Sequence, residues 1–237
     1  MRRATEEATR AIAIAPNYAA AHAILAASSG MLYFVGSVEN PTEVQRIRAM
    51  TERALALEPE NAFVLAYAGF ALTIIGLPNL ALRHTAHAVR KAPNEGAIHW
   101  AHGATCCLLN RIEEALDHLA TAIRLTPGWH IQYLLHAWRA NAFLRDRRWA
   151  EADAAYSESW TLNPELFGSG AEKAIISLRN GRADEAQKLF QLQRVSGDGQ
   201  ALAFIETMFR RLYSNSSVLD ELLADLRTLW AATKPGA

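Results

Sequence analysis

Histidine, cysteine and arginine are the side chains in this sequence whose types and spacing could do chemistry. His99 and His102 lie three residues apart, as do His84 and His87, so each pair falls on one face of a helix and offers two imidazoles to a metal. Two ligands do not make a site. Zinc needs three or four donors, and neither an HExxH pair nor a paired-cysteine motif supplies the rest. The histidines therefore read as core or surface imidazoles with satisfied hydrogen bonds, and no metal is expected. Cys106 and Cys107 are adjacent. Neighbours on a helix point about 100° apart, so a bridge between them would be strained, and Cys106 is expected to be a buried small hydrophobe. The glycines of GSGAEKA (168–174) and GDGQ (197–200) follow no strand pattern, which excludes a phosphate loop, and no GxSxG nucleophile motif is present. Arg145, Arg147 and Arg148, with Asp146 and Trp149, form the one dense basic cluster. It reads as a solvated turn that partly pairs with itself, the alternative being contact with an anionic partner. No catalytic residue and no cofactor is expected, and the chain reads as non-enzymatic.

Composition narrows the setting in which such residues could act. Lysine plus arginine equals aspartate plus glutamate at 24 each, so no long-range field of either sign draws in nucleic acid or an anionic membrane. The first sixteen residues, MRRATEEATRAIAIAP, mix acids among bases and hold no apolar stretch of the signal-peptide kind. Two adjacent cysteines make no disulfide framework, and a reducing cytoplasm is the expected location. One stretch tests this reading: Ala62 to Leu82 carries no charge. Gly76, Pro78 and Asn79 interrupt it, and no lysine or arginine clusters flank it, so it is not expected to span a membrane.

The elements that carry these residues are set by a period. Prolines close similar apolar, alanine-rich stretches at Pro16, Pro59, Pro93, Pro127 and Pro164, with spacings of 43, 34, 34 and 37 residues. Proline lacks an amide donor and disfavours helical geometry in the residue before it, so each marks a helix end. Counting back from the last three prolines gives small residues in phase: Gly69, Gly103 and Ala140; Ala81, Ala115 and Ala152; Ala88, Ala122 and Ser159. Small side chains at a crossing let two helices approach near the lower end of the usual 8–10 Å. IGLPNLA, LNRIEEA, DRRWAEA and NGRADEA each join two apolar-periodic stretches, and Gly76 and Gly181 suit a left-handed helix end.

A 34-residue helical hairpin with small residues at its eighth, twentieth and twenty-seventh positions and proline at its thirty-second resembles the tetratricopeptide repeat. The resemblance covers five units, within residues 19–193, beginning near Ala19, Ala62, Gly96, Tyr133 and Phe167. It implies an all-α fold, a right-handed superhelix of antiparallel helix hairpins, and a single solenoid domain over residues 1–237. The family's usual tryptophan at position four is replaced by His22, Leu65, His99, His136 and Gly170, and the first unit has a longer turn around SVENPTE. Residues 1–16 match only the second helix of a unit, which favours an array continuing upstream in a longer protein over a cap. After Phe190 the phase is lost at SGDGQ, and two amphipathic stretches within residues 200–233 are expected to cap the last unit, followed by a frayed KPGA. The phrasing PNYAAAHAILA and ERALALEPENA is also similar to the carboxy-terminal repeat regions of multidomain bacterial signalling proteins, in which a nucleotide cyclase or winged-helix effector lies upstream.

In the family, positions two, five, nine, twelve and thirteen of each unit line a concave groove. Carried onto this sequence, the resemblance makes Phe63, Phe70 and Ile74, then Trp100 and Leu108, then Leu134, Asn141 and Arg145 the partner-binding residues. Such a strip suits a peptide or a helix, with the aromatics as anchors. Only Asn141 and Arg145 stand where relatives that clamp a terminal carboxylate place polar groups, so no clamp is expected. The function this implies is a scaffold binding a protein or peptide in an apolar groove; the alternative is a self-associating module forming a homodimer, with an enzyme on a helical solenoid disfavoured.

Overall fold

The computed structural model describes residues 2–34, 36, 41–163, 169–194, 200–214 and 216–233. Among these residues there are thirteen helices and no strand. The chain divides into two compact units, Met1–Pro127 and Gly128–Ala237. Pro164, the expected start of the fifth repeat at Phe167, residues 37–40 of the first turn, residues 196–199 and the terminal KPGA lie outside the described residues.

The first unit holds α1 (Arg2–Ile14), α2 (Ala19–Phe34), α3 (Pro41–Leu57), α4 (Ala62–Ile74), α5 (Pro78–Lys91), α6 (Gly96–Leu108) and α7 (Ile112–Leu125). Proline punctuates it as expected. α1, α3, α5 and α7 end at Ile14, Leu57, Lys91 and Leu125, each two residues before a proline, while Pro41 and Pro78 open α3 and α5, where their missing amide is harmless. Asn61 caps α4 by accepting from the Phe63 and Val64 amides at 2.9 and 3.3 Å. Consecutive helices pair as the hairpins α2/α3, α4/α5 and α6/α7; α4 packs on α2, α6 packs on α4, and α1 lies against α2. Core residues, most of them alanine, fill the contacts between hairpins: Ala19, Ala23, Ala54 and Val64, and then Ala26, Ile47 and Ala71.

The glycines in phase explain the closeness of these hairpins. A Cβ on Gly69 would stand 2.5 Å from Thr85 Cγ2 and 3.3 Å from the Ala81 carbonyl, and one on Gly103 would stand 2.9 Å from Leu119 Cγ and 3.2 Å from the Ala115 carbonyl. Backbone thus meets backbone across each hairpin at the eighth and twentieth positions. The uncharged run from Ala62 to Leu82 is split between α4 and α5, and no helix among the described residues is long and apolar enough to cross a membrane.

The second unit holds α8 (Gln132–Arg145), α9 (Trp149–Leu162), α10 (Ser169–Arg179), α11 (Ala183–Arg194), α12 (Gln200–Leu212) and α13 (Leu219–Ala232). α8/α9 and α10/α11 are hairpins, α10 also packs on α9, and α13 packs on α10, α11 and α12. Leu222, Leu226 and Leu229 of α13 are buried, so the amphipathic pattern read after the phase is lost turns its apolar face inward.

Each of the four later hairpin turns uses one left-handed residue at the same place: Gly76 (φ 87°), Asn110 (60°), Arg147 (56°) and Gly181 (77°). The backbone bonds repeat too. The amides of Leu77, Arg111, Arg148 and Arg182 reach back to the carbonyls of Leu72, Cys106, Phe143 and Ser177 at 2.8–3.0 Å, closing the first helix of each hairpin. Glycine was expected at two of these turns; asparagine and arginine serve at the other two.

Candidate functional site

The residues expected to line an open groove are for the most part inside the protein. Phe70, Ile74, Trp100, Leu108, Leu134, Asn141 and Arg145 are all buried, and of the eight only Phe63 is partly exposed. Burial follows from the tight stacking of small-residue helices, which brings the first helices of neighbouring hairpins into van der Waals contact. In the first unit an aromatic ladder results. Phe63 stacks on Tyr67 at 4.3 Å between ring centroids, Tyr67 meets the edge of Trp100 at 6.4 Å, and Phe70 lies 4.6 Å from Trp100. The ladder runs from Phe70 and Trp100 in the core to Phe63 and Tyr67 at its partly exposed end. Burial pushes the Tyr67 hydroxyl above the ordinary tyrosine range, so it stays neutral.

In the second unit, Asn141 and Arg145 belong to a buried polar network. Asn141 Nδ2 donates to the Tyr213 hydroxyl at 2.6 Å and to Glu172 at 3.4 Å. Arg145 Nε donates to Asn141 Oδ1 at 3.1 Å, its Nη2 donates to the Leu212 carbonyl, and its guanidinium lies 5.3 Å from the centre of the Tyr213 ring. Tyr213 donates to one Glu172 oxygen at 2.5 Å and Tyr156 donates to the other. Burial pushes the Glu172 carboxyl above its ordinary range, while hydrogen bonds from Tyr156, Tyr213 and Asn141 and the Arg145 charge pull the other way. A face of α8 on which a ligand was expected thus receives the end of α12 from the same chain. Glu172, Tyr156 and Tyr213 were not foreseen. One signal was available: an acid at 172 set among Ala171, Ala174 and Ile175, all buried.

The basic cluster is resolved into separate jobs. Arg145 is buried as described. Arg147 donates to Glu221 and to the Ser217 side chain and carbonyl, the latter two at 3.1 Å, and Arg148 pairs with Glu151 at 3.0 Å while lying 4.5 Å from the Phe143 ring centre. These arginines are committed to their own chain.

Two of the three position-four histidines fasten helix starts, and the third, His136, faces Glu158 at 2.6 Å. His22 and His99 each donate Nε2–H to the carbonyl of the proline six residues earlier, Pro16 at 2.9 Å and Pro93 at 2.8 Å. Cys106 and Cys107 are both buried and neither is in a disulfide, and burial pushes the Cys106 thiol up to about 12. The pairing of His99 with His102 by spacing overlooked the next helix: Glu114 and His118 of α7 face His102 of α6, one ligand atom of each lying within 4.8 Å of the others.

No protein-family model and no curated protein matches the chain in sequence. Solved structures do resemble it. TTC0263, a thermophilic TPR protein of Thermus thermophilus, is 20% identical and superposes with a TM-score of 0.59 over 70% of this chain and 91% of its own. PilF of Pseudomonas aeruginosa is 15% identical, with a TM-score of 0.58 over 90% and 93% of the two chains. A monomeric mutant of IFIT1, in a structure with m7Gppp-AAAA, is 12% identical, with a TM-score of 0.71 over 98% of this chain and 54% of that one. At these identities the likeness carries the fold.

Proposed function

We propose that this chain, whose fold is that of the tetratricopeptide-repeat proteins, is a non-catalytic scaffold that binds a peptide or helix of another protein on the α4/α6 face of its first unit. The observation that supports this most is the aromatic ladder. Phe63 and Tyr67 offer a rigid apolar surface at its partly exposed end, and Phe70 and Trp100 hold that surface in place from behind. Large rigid side chains backed by a packed core bind at low entropic cost. The counterpart positions Asn141 and Arg145 already hold Leu212 and Tyr213, which supports a helix end as the kind of object such a face accepts.

An RNA ligand of the kind seen with IFIT1 fits this chain less well, because its charges balance at 24 against 24 and Arg145, Arg147 and Arg148 are engaged by their own chain. Self-association is the second reading, with another copy occupying the same aromatic face. A cytoplasmic setting agrees with two buried cysteines that form no disulfide.

Affinity capture from a lysate of the source organism, comparing the parent chain with Phe63→Glu, tests the reading. Phe63 is partly exposed, so the variant is expected to keep the helical circular dichroism of the parent while losing a protein that the parent retains. The same captured proteins in both samples would refute the aromatic face as the docking site, and capture of the chain itself would replace the scaffold with the self-association reading.

A further inference from the structure

We infer that His102, Glu114 and His118 form a binding site for a divalent transition metal, zinc by the nature of its donors, joining α6 to α7. The three ligand atoms lie within 4.8 Å of one another. The site is spread over two antiparallel helices: His102 is one turn before Cys106 on α6, and Glu114 is one turn before His118 on α7. Side chains four residues apart share a helix face, so two such faces meeting in a hairpin converge their donors.

The hydrogen bonds around the cluster assign the imidazole protons. His99 Nε2 lies 2.8 Å from the Pro93 carbonyl, which can only accept, so Nε2 carries the hydrogen and Nδ1 the lone pair. His118 Nδ1 is 2.8 Å from that lone pair and must donate to it, which leaves His118 Nε2 as a bare donor atom. Thr85 Oγ1 gives its hydrogen to the Ala81 carbonyl at 3.2 Å and so accepts from His102 Nδ1 at 2.9 Å. His102 Nε2 is then also bare. Metal-bound histidines are held in this way, with the far ring N–H tied to a carbonyl, hydroxyl or similar acceptor, which fixes the tautomer and aims the other nitrogen.

Two further side chains face this nitrogen. Glu114 Oε1 is 3.4 Å from His102 Nε2, and Cys106 Sγ is 3.7 Å from it. A carboxylate oxygen and an unprotonated ring nitrogen thus each turn a lone pair to the same space; without metal, Arg111 at 2.5 Å from the other Glu114 oxygen balances the carboxylate and the Cys106 thiol faces the nitrogen as a weak donor, and a bound cation would take the thiol's place. The competing assignment puts a proton on Nε2 to bond Glu114. At 3.4 Å that contact is well beyond the roughly 2.7–2.9 Å of a charge-assisted bond, and it would take the Thr85 hydrogen from Ala81. Two imidazoles and one carboxylate suit zinc better than magnesium or calcium, which prefer oxygen donors throughout. His102 and Glu114 also form part of the wall of an open cleft of about 490 Å³, lined besides by Leu82, Arg83, Ala86, Arg90 and Arg111, which opens the cluster to solvent, though past three cationic side chains.

Cobalt(II) and zinc titrations of the whole, chelator-stripped chain test the site. The parent is expected to bind one equivalent of cobalt with the intense visible absorption of a low-coordinate N/O site, to exchange it for zinc, and to melt at a higher temperature with zinc than without. His118→Ala is expected to abolish the spectrum. Thr85→Val, which keeps the shape but frees the His102 ring, is expected to weaken cobalt binding about 10–100-fold. Circular dichroism and a metal-free melt of each variant separate loss of metal from loss of fold; should His118→Ala fail to fold, Thr85→Val and the parent carry the test. Absence of saturable cobalt binding by the folded parent, or binding by folded His118→Ala as tight as the parent's, would overturn the site.

Discussion

At the scale of single residues, the buried carboxylate of Glu172 is the point of greatest leverage in the second unit. It accepts from Tyr156, Tyr213 and Asn141, so removing it takes the acceptor from two buried hydroxyls, while Asn141 keeps Tyr213 and Arg145 keeps Asn141 and the Leu212 carbonyl. Glu172→Ala is expected to destabilise the protein by about 2–5 kcal/mol in urea melts, about 1–3 kcal/mol for each hydroxyl left without its acceptor. The pH dependence follows from the direction of its shift. Burial raises the folded pKa above the ordinary 4.5, so between the two values the native state keeps a proton that the unfolded chain has released. This contribution to stability is fully present below the ordinary value and is lost as pH rises through the folded one. Glu172→Gln lacks the ionisation, and the parent's stability relative to it is expected to fall as pH is raised from about 4.5 toward neutrality. Parallel stability curves for the two proteins would contradict the burial argument. None of this was legible beforehand, because Tyr213 lies 41 residues from Glu172 and beyond the point where the repeat phase is lost.

At the scale of elements, the hairpins could be read almost residue by residue. Prolines placed four helix ends in the first unit, and the small residues at 69, 81, 103 and 115 are the ones at which backbones meet. The turns were half legible. Gly76 and Gly181 announce a left-handed residue, whereas Asn110 and Arg147 reach the same geometry without a glycine. Arg147 is held there by Glu221 and Ser217 of the turn and helix that cover it. A left-handed residue with a Cβ costs about 1–2 kcal/mol, while an exposed ion pair contributes about 0–1 kcal/mol. Arg147→Ala keeps the strain and loses the bonds, whereas Arg147→Gly loses both. Thermal melts are therefore expected to rank the glycine variant above the alanine variant by about 1 kcal/mol; equal melts would mean that the turn stores no strain. The histidine cluster escaped notice for a related reason. Each helix shows only half of it, and the register that sets Glu114 and His118 against His102 belongs to the hairpin.

At the scale of the whole molecule, the repeat pattern was enough to identify an all-α hairpin array of the tetratricopeptide kind, because period, small residues and breakers all pointed to the same structure. Exposure was not. Position numbers taken from the family mark a groove face, yet whether Phe70, Ile74 or Leu108 meets solvent depends on how closely neighbouring helices approach and on what covers them. Seven of the eight expected contact residues became core or network, and Tyr67, partly exposed and stacked on Phe63, joins the surface that is left. The central claim is that this surface receives a partner. Hydrogen exchange followed by mass spectrometry, on the chain alone and with the protein it captures, measures this directly. Added protection is expected over residues 62–75 and 96–109, the stretches that carry the aromatic ladder. Protection confined to α5 and α7, or no change over α4 and α6, would contradict it.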